Sequence, residues 1–546
     1  MVNITDSIFN DLTVEVKKHH KYSLSNQKKK VYYIQTRMTK FINWSENIRN
    51  KNTKIYFPHN DDEIINIINL AIEKKKTIRV VGSTHSISPT ICSSHEENVL
   101  LVSLKDYHWD HESSSKKSAS SDNSSNVLID HERMTVTVNA GLTIGHLYDQ
   151  LNKHSYFLET QPASSAFTIG GIVNMPVHGG RLGASLIADT IVELTLIDMF
   201  GKKITKTEKD SDFDFYRLSL GLFGIITSVT FKIQKINNIK CDIVTYNDIF
   251  SENIVNTSID SYFKRIILRC LQPGDQPHYN HSFLDFHNNK LLAIDWEATD
   301  EKPLVYIDTK ETQSISKLPT DLIHQIIFSD YRKSSSYLKI IGKLVRVGVK
   351  TSVAKNSLED QDMLWVSTGT RVYFMSYFVP VHTEGDELDL TRLYRSFEIV
   401  KEQIASVKNE KKTFNVDFPM DIRFVVSNNK SRASPIYHPS KKIVYMVIDL
   451  TTGPSDIELS SDKVSSGSKR LNEDFRQFFS SVESQWRGLG GIPHYSKLFG
   501  FGDNHSDPFN PSKMGLIFDQ SLKTELTNKA QPLFVNQFVR DLITPL

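Results

Sequence analysis

Near the start of the chain, the spacing of hydrophobic positions changes from that of a strand to that of a helix and back. A short apolar stretch at 55–57 precedes Asn60, which suits a helix N-cap, and three acidic residues that favour the first helical turn. Apolar residues then recur at helical spacing through 64–72, and 77–81 is typical of a buried strand. The pattern predicts a strand, a helix and a second strand that ends at Gly82.

A second unit of this kind lies farther along the chain. Polar and apolar residues alternate over 135–139, which predicts a strand, and Thr143 is placed to cap a helix whose apolar residues extend to Leu151. The segment 111–126 between the two units is dominated by serine with lysine, aspartate and asparagine. We expect a disordered surface insertion there, because such a segment buries too little apolar surface to fold.

The remaining apolar runs predict two layered α/β domains. Strands at 191–198 and 225–233 complete the first domain near residue 237. In the second domain we expect strands near 372–378, 421–426 and 443–449 and helices near 393–405 and 472–482. The stretch 250–365 has weak periodicity and no motif that indicates a function.

Composition narrows the class of protein. The 546 residues correspond to two to four domains of about 150 residues each, and 39% hydrophobic residues supply a large core. The 65 basic and 63 acidic residues nearly balance, which argues against nucleic acid as a partner. The three cysteines are widely spaced and have no metal-ligand pattern, so we expect neither a disulfide framework nor a structural zinc.

Targeting signals are not evident in the sequence. The N-terminus has no basic stretch followed by an apolar one, and no later run approaches the roughly 18 apolar residues of a spanning helix. We therefore expect a soluble, cytoplasmic protein without a signal peptide or transmembrane segment. The sequence leaves the oligomeric state open.

Several common catalytic motifs are missing from the sequence. There is no GxGxxG fingerprint after a strand, no Walker loop, no GxSxG nucleophile elbow and no HExxH zinc motif. His278 and His281 are three residues apart without a carboxylate at ligand spacing. We interpret both as surface histidines and expect no metal site.

Three glycine-bearing segments indicate a long anionic ligand. The loop Gly82–Ser86 offers successive backbone N–H groups and three hydroxyls, which suit a pyrophosphate, although alone it is better explained as an ordinary strand-end turn. The segments 168–180 and 219–226 expose backbone in the same domain. Glycines also serve turns and close packing, so the three segments favour a ligand without identifying it.

The order of these segments resembles the FAD-binding domain of the vanillyl-alcohol oxidase (PCMH-type) flavoproteins. The resemblance covers about residues 50 to 236 and rests on the motifs Val81–Ser86, Gly141–Ile144, Ile169–Gly171, His178–Gly179, Asp189–Leu196 and Ser219–Thr227. A second set is similar to the sugar-1,4-lactone oxidase and alditol oxidase branch and comprises Phe418–Val425, Ser434–Pro435, Gly490–Lys497 and Phe534–Val539. Matching blocks in the same order at both ends of a chain are much harder to obtain by chance than one motif.

The resemblance implies an α+β fold. It implies a two-subdomain PCMH-type FAD-binding domain at 50–237, followed by an α/β substrate (cap) domain with an antiparallel sheet at 238–500. A C-terminal segment at 501–546 would return to the FAD-binding domain, and residues 1–49 would form an N-terminal extension.

The implied cofactor is FAD, attached covalently through His85. Carried over position by position, the resemblance places these residues at the cofactor: Gly82, Ser83, Thr84, His85, Ser86, Thr168, Gly171, His178 and Ile226. An imidazole linkage would raise the flavin potential and prevent loss of the cofactor. If His85 is unlinked, the non-covalent members of the family are the better comparison.

The implied reaction is oxidation of a CH–OH group in a sugar lactone, polyol or related alcohol. The hydride would pass to flavin N5, with O2 as acceptor and H2O2 as product. Arg423 would hold the substrate oxygen, Asp421 shares its strand face, and Lys497 would lie near the N1 edge of the flavin. Without the resemblance, Asp421 and Arg423 would be interpreted as a structural pair and Lys497 as solvated surface.

The sequence also departs from that branch. The branch has glutamate in place of Asp421, and its polyol-contacting positions correspond here to Ala163, Tyr445 and Val447. The loss of polar contacts disfavours a naked sugar alcohol, because its buried hydroxyls would lack partners. Pro162 lies in the family's oxygen-gate region, which slightly favours oxygen as the acceptor.

Alternative functions stay open. One is a dehydrogenase with a protein or quinone acceptor, and another is an oxidase of a bulkier alcohol such as a sterol. A protein that binds flavin without turnover and acts as an interaction module belongs to a different class.

Overall fold

The computed structural model of the protein describes most of the chain between residues 36 and 545. The described residues are 36–37, 40–109, 126–162, 164–250, 257–302, 335–353, 355–359, 372–381, 388, 390–410, 412–453, 457, 459, 469–501, 507–514 and 517–545. The predicted serine-rich insertion at 111–126 lies outside them except for Asn126.

The first sheet has four strands in the order β1-β4-β6-β5, and its last three strands are parallel. These strands, together with a separate hairpin of β2 and β3, are β1 (Thr36–Arg37), β2 (Phe41–Ile42), β3 (Arg49–Asn50), β4 (Ile55–Tyr56), β5 (Thr77–Val80) and β6 (Val99–Val102). Helix α1 (Asp61–Glu73) joins β4 to β5, and the Asn60 side chain accepts a hydrogen bond from the Glu63 backbone N–H. The predicted strand–helix–strand unit is confirmed.

The second sheet has five antiparallel strands in the order β11-β10-β12-β8-β7. They are β7 (Val127–Asp130), β8 (Thr135–Asn139), β10 (Ile191–Ile197), β11 (Lys203–Thr207) and β12 (Ile225–Lys232), while β9 (Tyr156–Phe157) pairs separately with β13 (Gln234–Lys235). Three helices lie in this region: α2 (Ile144–Asn152), α3 (Ile169–Asn174) and α4 (Phe213–Tyr216). The predicted Thr143 cap is confirmed, because its hydroxyl accepts a hydrogen bond from the His146 N–H.

The third sheet has eight antiparallel strands in the order β17-β14-β16-β15-β19-β20-β18-β21. The strands are β14 (Asn238–Asn247), β15 (His278–Asp285), β16 (Lys290–Ala298), β17 (Asn356–Leu358), β18 (Tyr373–Pro380), β19 (Met420–Val426), β20 (Val444–Thr452) and β21 (Ile492–Pro493). The helices are α5 (Thr257–Leu271), α6 (Ser335–Ser352), α7 (Thr391–Asn409) and α8 (Lys469–Gly488). The predicted α+β fold with an antiparallel sheet in the second part of the chain is confirmed.

The stretch 250–365, which carried no usable sequence signal, supplies the middle of this third sheet. Strand β15 is buried at nearly every position on both faces, and β16 is buried over most of its length. Such strands lack the alternation that identifies a half-exposed strand, which explains the weak signal.

The C-terminal helices α9 (Pro511–Met514), α10 (Gln520–Lys529) and α11 (Gln537–Ile543) follow the third sheet. Their region reaches back to β5, where the buried Arg79 guanidinium donates hydrogen bonds to the backbone carbonyls of Thr90, Leu220 and Phe534. One buried side chain therefore ties the end of the chain to its first sheet. Within the described residues, no helix is both long and apolar enough to cross a membrane.

Candidate active site

A cavity of about 730 Å³ is lined by residues of the first, second and third sheets and of the segments that connect them. The cavity is lined by all of the residues predicted to bind the cofactor or to act in catalysis: Gly82, Ser83, Thr84, His85, Ser86, Thr168, Gly171, His178, Ile226, Asp421, Arg423 and Lys497. This volume lies in the range of cofactor and substrate pockets. The fold thus brings together motifs that are separated by up to several hundred residues.

The loop after β5 forms one wall of the cavity. A Cβ at Gly82 would lie 2.1 Å from the Thr168 hydroxyl, so only glycine allows this loop to lie against the start of α3. The hairpin of β2 and β3 covers the loop from outside, where the Trp44 N–H donates to the Thr84 carbonyl at 2.9 Å and the Asn43 side chain donates to the Ser86 carbonyl at 2.9 Å. The loop is therefore held between the start of α3 on one side and the hairpin of β2 and β3 on the other.

His85 lies in this loop between two aromatic rings. Its ring stacks on Trp44, with centroids 5.2 Å apart, and meets the edge of Phe167 at 4.9 Å. Burial, together with the charge of Lys497, lowers the pKa of His85 to about 4, so the imidazole is neutral near pH 7. Among the described residues, its buried Nδ1 has no hydrogen-bond partner. An oriented, neutral imidazole with an unused ring nitrogen suits a bond to a ligand.

The segment that follows β21 joins this wall to the third sheet. The Ile87 N–H donates to the Ser496 carbonyl at 2.8 Å, and the Ser88 hydroxyl donates to the Tyr495 carbonyl at 2.7 Å. Lys497 therefore enters the same cavity, with Nζ 4.6 Å from the centre of the Phe374 ring.

Buried charges surround Lys497. Burial lowers its pKa; the nearby Asp449 opposes this shift and Arg423 adds to it. This buried position agrees with the prediction that Lys497 belongs to the site. It disagrees with the alternative interpretation of Lys497 as a solvated surface lysine.

Arg423 and Asp421 project from one face of β19 into the cavity, as their spacing of two residues predicts. Arg423 Nη2 lies 3.0 Å from Asp421 Oδ2. Burial alone would raise the pKa of Asp421, but the charge of Arg423 and the contact with His281 hold it well below its usual range. Burial would lower the pKa of Arg423, but the charges of Asp421 and Asp449 raise it. Both side chains are therefore charged near pH 7.

The interpretation of His281 as a surface histidine is wrong. Its side chain is 7% exposed, and Nε2 lies 2.7 Å from Asp421 Oδ1. Burial lowers the pKa of His281, so a neutral ring supports the carboxylate. The sequence could not indicate this role, because β15 pairs with β19 only through the tertiary fold.

Asp449 is a cavity residue that no sequence motif indicated. It lies on β20 directly opposite Asp421 and close enough for the two charges to interact. Burial, followed by the negative charge of Asp421, raises the pKa of Asp449. A lone acidic residue within the apolar stretch 443–450 was the available signal.

Part of the cavity lining is apolar. This part includes four residues of α6 and several aromatic and aliphatic side chains around them: Leu344, Val345, Gly348, Val349, Phe283, Val372, Phe374 and Phe418. Gly342 brings α6 onto the end of β15, since a Cβ there would lie 2.3 Å from Asp285 Oδ2. Tyr445 and Val447, which were expected at the substrate, do not line the cavity, and Ala163 lies outside the described residues.

The chain was compared with protein families and with individual proteins. Residues 53–206 match the family described as "FAD binding domain". L-gulonolactone oxidase of Mus musculus is 27% identical over 196 residues, which cover 35% of this chain and 39% of the relative. D-arabinono-1,4-lactone oxidase of Kluyveromyces lactis is 28% identical over 42% of this chain and 41% of the relative. The matches thus span less than half the length of these relatives.

Solved structures share the whole architecture. Cholesterol oxidase from B. sterolicum superposes with a TM-score of 0.73 at 15% identity, covering 95% of this chain and 100% of that one. The likeness confirms the fold across both small sheets and the third sheet. The family match confirms the prediction of an FAD-binding domain in the first part of the chain.

Proposed function

We propose that the protein is an FAD-dependent oxidase that converts a CH–OH group into a carbonyl group and passes the electrons to O2, forming H2O2. The observation that supports this most directly is the single cavity shared by the FAD-binding loop and the Asp421, Arg423 and Lys497 side chains. The lactone oxidase relatives favour a sugar lactone or polyol as substrate.

The cavity suits FAD on two structural grounds. The loop around Gly82 lines the cavity together with Thr168, Gly171, His178 and Ile226, and its successive backbone N–H groups would suit a pyrophosphate. His85 offers the unpartnered Nδ1 described above. When bound, FAD supplies the two-electron acceptor that oxidation of an alcohol requires.

The side chains of the third sheet would bind and polarise the substrate. The Arg423 guanidinium is placed to hold the alcohol oxygen and to stabilise negative charge as it develops there. Asp421, supported by His281, fixes that guanidinium through a 3.0 Å contact. Lys497 adds positive charge to the same buried space, where attraction is stronger than in water.

His85→Ala is expected to abolish covalent attachment of the flavin, because no other ring nitrogen in the loop can form the bond. The measurement is flavin absorbance of the protein pellet after acid precipitation. His146→Ala is the matched control, since His146 lies on α2 and is not among the cavity-lining residues. Flavin that stays with the acid-precipitated His85→Ala protein would contradict attachment at this residue.

Anaerobic mixing of the purified holoenzyme with alcohols tests the function as a whole. Bleaching of the flavin absorbance by a sugar lactone or polyol, followed by recolouring in air with release of peroxide, is the expected result. Reduced flavin that reoxidises in air only over minutes would favour a dehydrogenase with another acceptor. Absence of reduction by any alcohol would favour a flavin-binding protein without turnover.

The apolar wall built by α6 favours a second candidate substrate, a bulky alcohol such as a sterol. Leu344, Val345 and Val349 offer no hydrogen-bond partner to a polyol, whereas burial of apolar surface against them stabilises a large hydrocarbon. Comparison of kcat/KM for a sugar lactone and for a sterol separates the two candidates.

A further inference from the structure

Two carboxylates lie directly opposite each other inside the cavity. Asp421 on β19 and Asp449 on β20 are paired residues of neighbouring antiparallel strands, and both line the cavity. Like charges at such positions repel and destabilise a sheet. An arrangement of this kind in the middle of a sheet needs an explanation.

The surroundings of the two carboxylates differ sharply. Asp421 is held at one oxygen by Arg423 at 3.0 Å and at the other by His281 at 2.7 Å. Within the described part of the chain, the buried Oδ1 of Asp449 has no hydrogen-bond partner. Asp421 therefore has both oxygens in protein contacts, whereas Asp449 borders the cavity, faces Ser376 and has no ion-pair partner among the described residues.

The geometry points to Asp449 as the group that accepts the hydroxyl proton of the substrate alcohol. This inference rests on the proposed oxidation of a CH–OH group. The O–H bond breaks and its proton passes to the Asp449 carboxylate, and the electron pair left on oxygen forms the carbonyl as the carbon loses its hydride. Bound FAD would supply the two-electron oxidant that takes up this hydride.

Other titratable groups at the cavity are less suited to this role. The ion pair with Arg423 makes Asp421 a weak base. Burial, followed by the charge of Arg423, lowers the pKa of His178 to about 3, and burial together with Lys497 lowers the pKa of His494 well below its usual range. The pKa of Asp421 is lowered and that of Asp449 is raised. Such a difference is expected when one carboxyl group anchors a neighbouring side chain and the other transfers a proton.

The charges around Asp449 decide its pH dependence. Asp421 and Arg423 face it from β19, Ser376 faces it from β18, and Lys497 faces it from the segment after β21. Burial and the charge of Asp421 raise its pKa, while Arg423 and Lys497 oppose the shift. Flavin reduction by substrate is therefore expected to slow as pH falls and Asp449 becomes protonated. Because its pKa is raised, this slowing begins at a higher pH than it would for an aspartate with an ordinary pKa.

Asp449→Asn tests the inference in the holoenzyme. Anaerobic flavin reduction by the best alcohol substrate is expected to slow by about 10²- to 10⁴-fold, the usual contribution of a positioned acid or base. The acid limb of the pH profile is expected to disappear. The matched control is Asp421→Asn, the facing carboxylate, which is expected to lower the rate through loss of Arg423 positioning but to keep the acid limb.

A second readout does not depend on turnover. Because the folded-state pKa of Asp449 is raised, this carboxylate destabilises the fold at neutral pH, and the destabilisation is relieved as pH falls through that pKa. Asp449→Asn is therefore expected to raise Tm at pH 7, with a difference that shrinks toward acid pH. Asp421→Asn is expected to lower Tm at pH 7, because it leaves Arg423 unpaired.

The outcomes separate this inference from the proposed function. If the wild-type flavin is not reduced by any alcohol, the proposed function fails, and the inference falls with it whatever Tm shows. If the wild type is reduced but Asp449→Asn keeps the wild-type rate and acid limb, the inference alone is overturned. Loss of the acid limb only in Asp421→Asn would assign the proton to Asp421 instead.

Discussion

Arg423→Ala is expected to slow anaerobic flavin reduction by substrate by at least about 10³-fold. Loss of one donor to a developing oxyanion typically costs about 10²- to 10³-fold, and here a buried full charge is removed. Arg423 is 8% exposed, and the ion pair with Asp421 holds its guanidinium at the cavity. The loss is expected mainly in the rate constant of reduction and less in substrate affinity, because the charge on oxygen develops as the reaction proceeds.

Two further variants support the interpretation of this result. Arg423→Lys keeps the charge but not the planar fork, so an intermediate rate is expected. Arg395→Ala is the matched control, because Arg395 lies on α7 with its side chain 36% exposed and paired with Glu402. Flavin content and Tm are measured for each variant before kinetics. A fully loaded, folded Arg423→Ala protein that reduces its flavin at the wild-type rate would exclude Arg423 from the reaction.

Gly141→Ala is expected to weaken FAD binding. A Cβ at this position would lie 2.0 Å from the Leu104 backbone carbonyl oxygen and 2.6 Å from its carbonyl carbon. The two loops that carry these residues both line the cavity, so one must move away from the other. If the loops separate in the free protein and FAD binding brings them together again, the strain of about 3 kcal/mol, the upper end for overpacking, is imposed on binding, and affinity falls by about 100-fold.

The measurement is visible flavin absorbance per mole of protein after gel filtration, with Tm of the apoprotein measured in parallel. Gly488→Ala is the control, since a Cβ there meets no atom within 4 Å and the residue ends helix α8. Gly488→Ala is expected to retain full flavin. A Gly141→Ala protein that also retains full flavin would show that the loop adjusts, and the close approach would then have no role in binding the cofactor.

Local structure was predicted well wherever neighbouring residues determine it. The Asn60 and Thr143 caps form the hydrogen bonds expected of them, and the strands near 135–139 and 421–426 lie where the hydrophobic pattern places them. The predicted cofactor and catalytic residues also meet in one cavity. That agreement came from the order of motifs along the chain. Composition and spacing alone favoured an ordinary turn at Gly82–Ser86 and a structural ion pair of Asp421 and Arg423.

The parts that could not be predicted depend on contacts between distant segments. The apolar wall comes from α6, in the stretch without a usable pattern, and Gly342 holds it against β15. The neighbouring sequence does not distinguish aliphatic residues that line a cavity from aliphatic residues of a helix packed in a core. Whether these residues line the cavity depends on which strand of the third sheet α6 packs against.

The sequence by itself determined the helices and strands with strong periodicity and their caps, because each depends on residues within a few positions of one another. Only the tertiary structure decided that His281 supports Asp421, 140 residues away, and that Asp449 lies opposite the same carboxylate. The physical reason is strand pairing: a buried sheet places side chains together by register, and register between distant strands is set by the packing of the whole core.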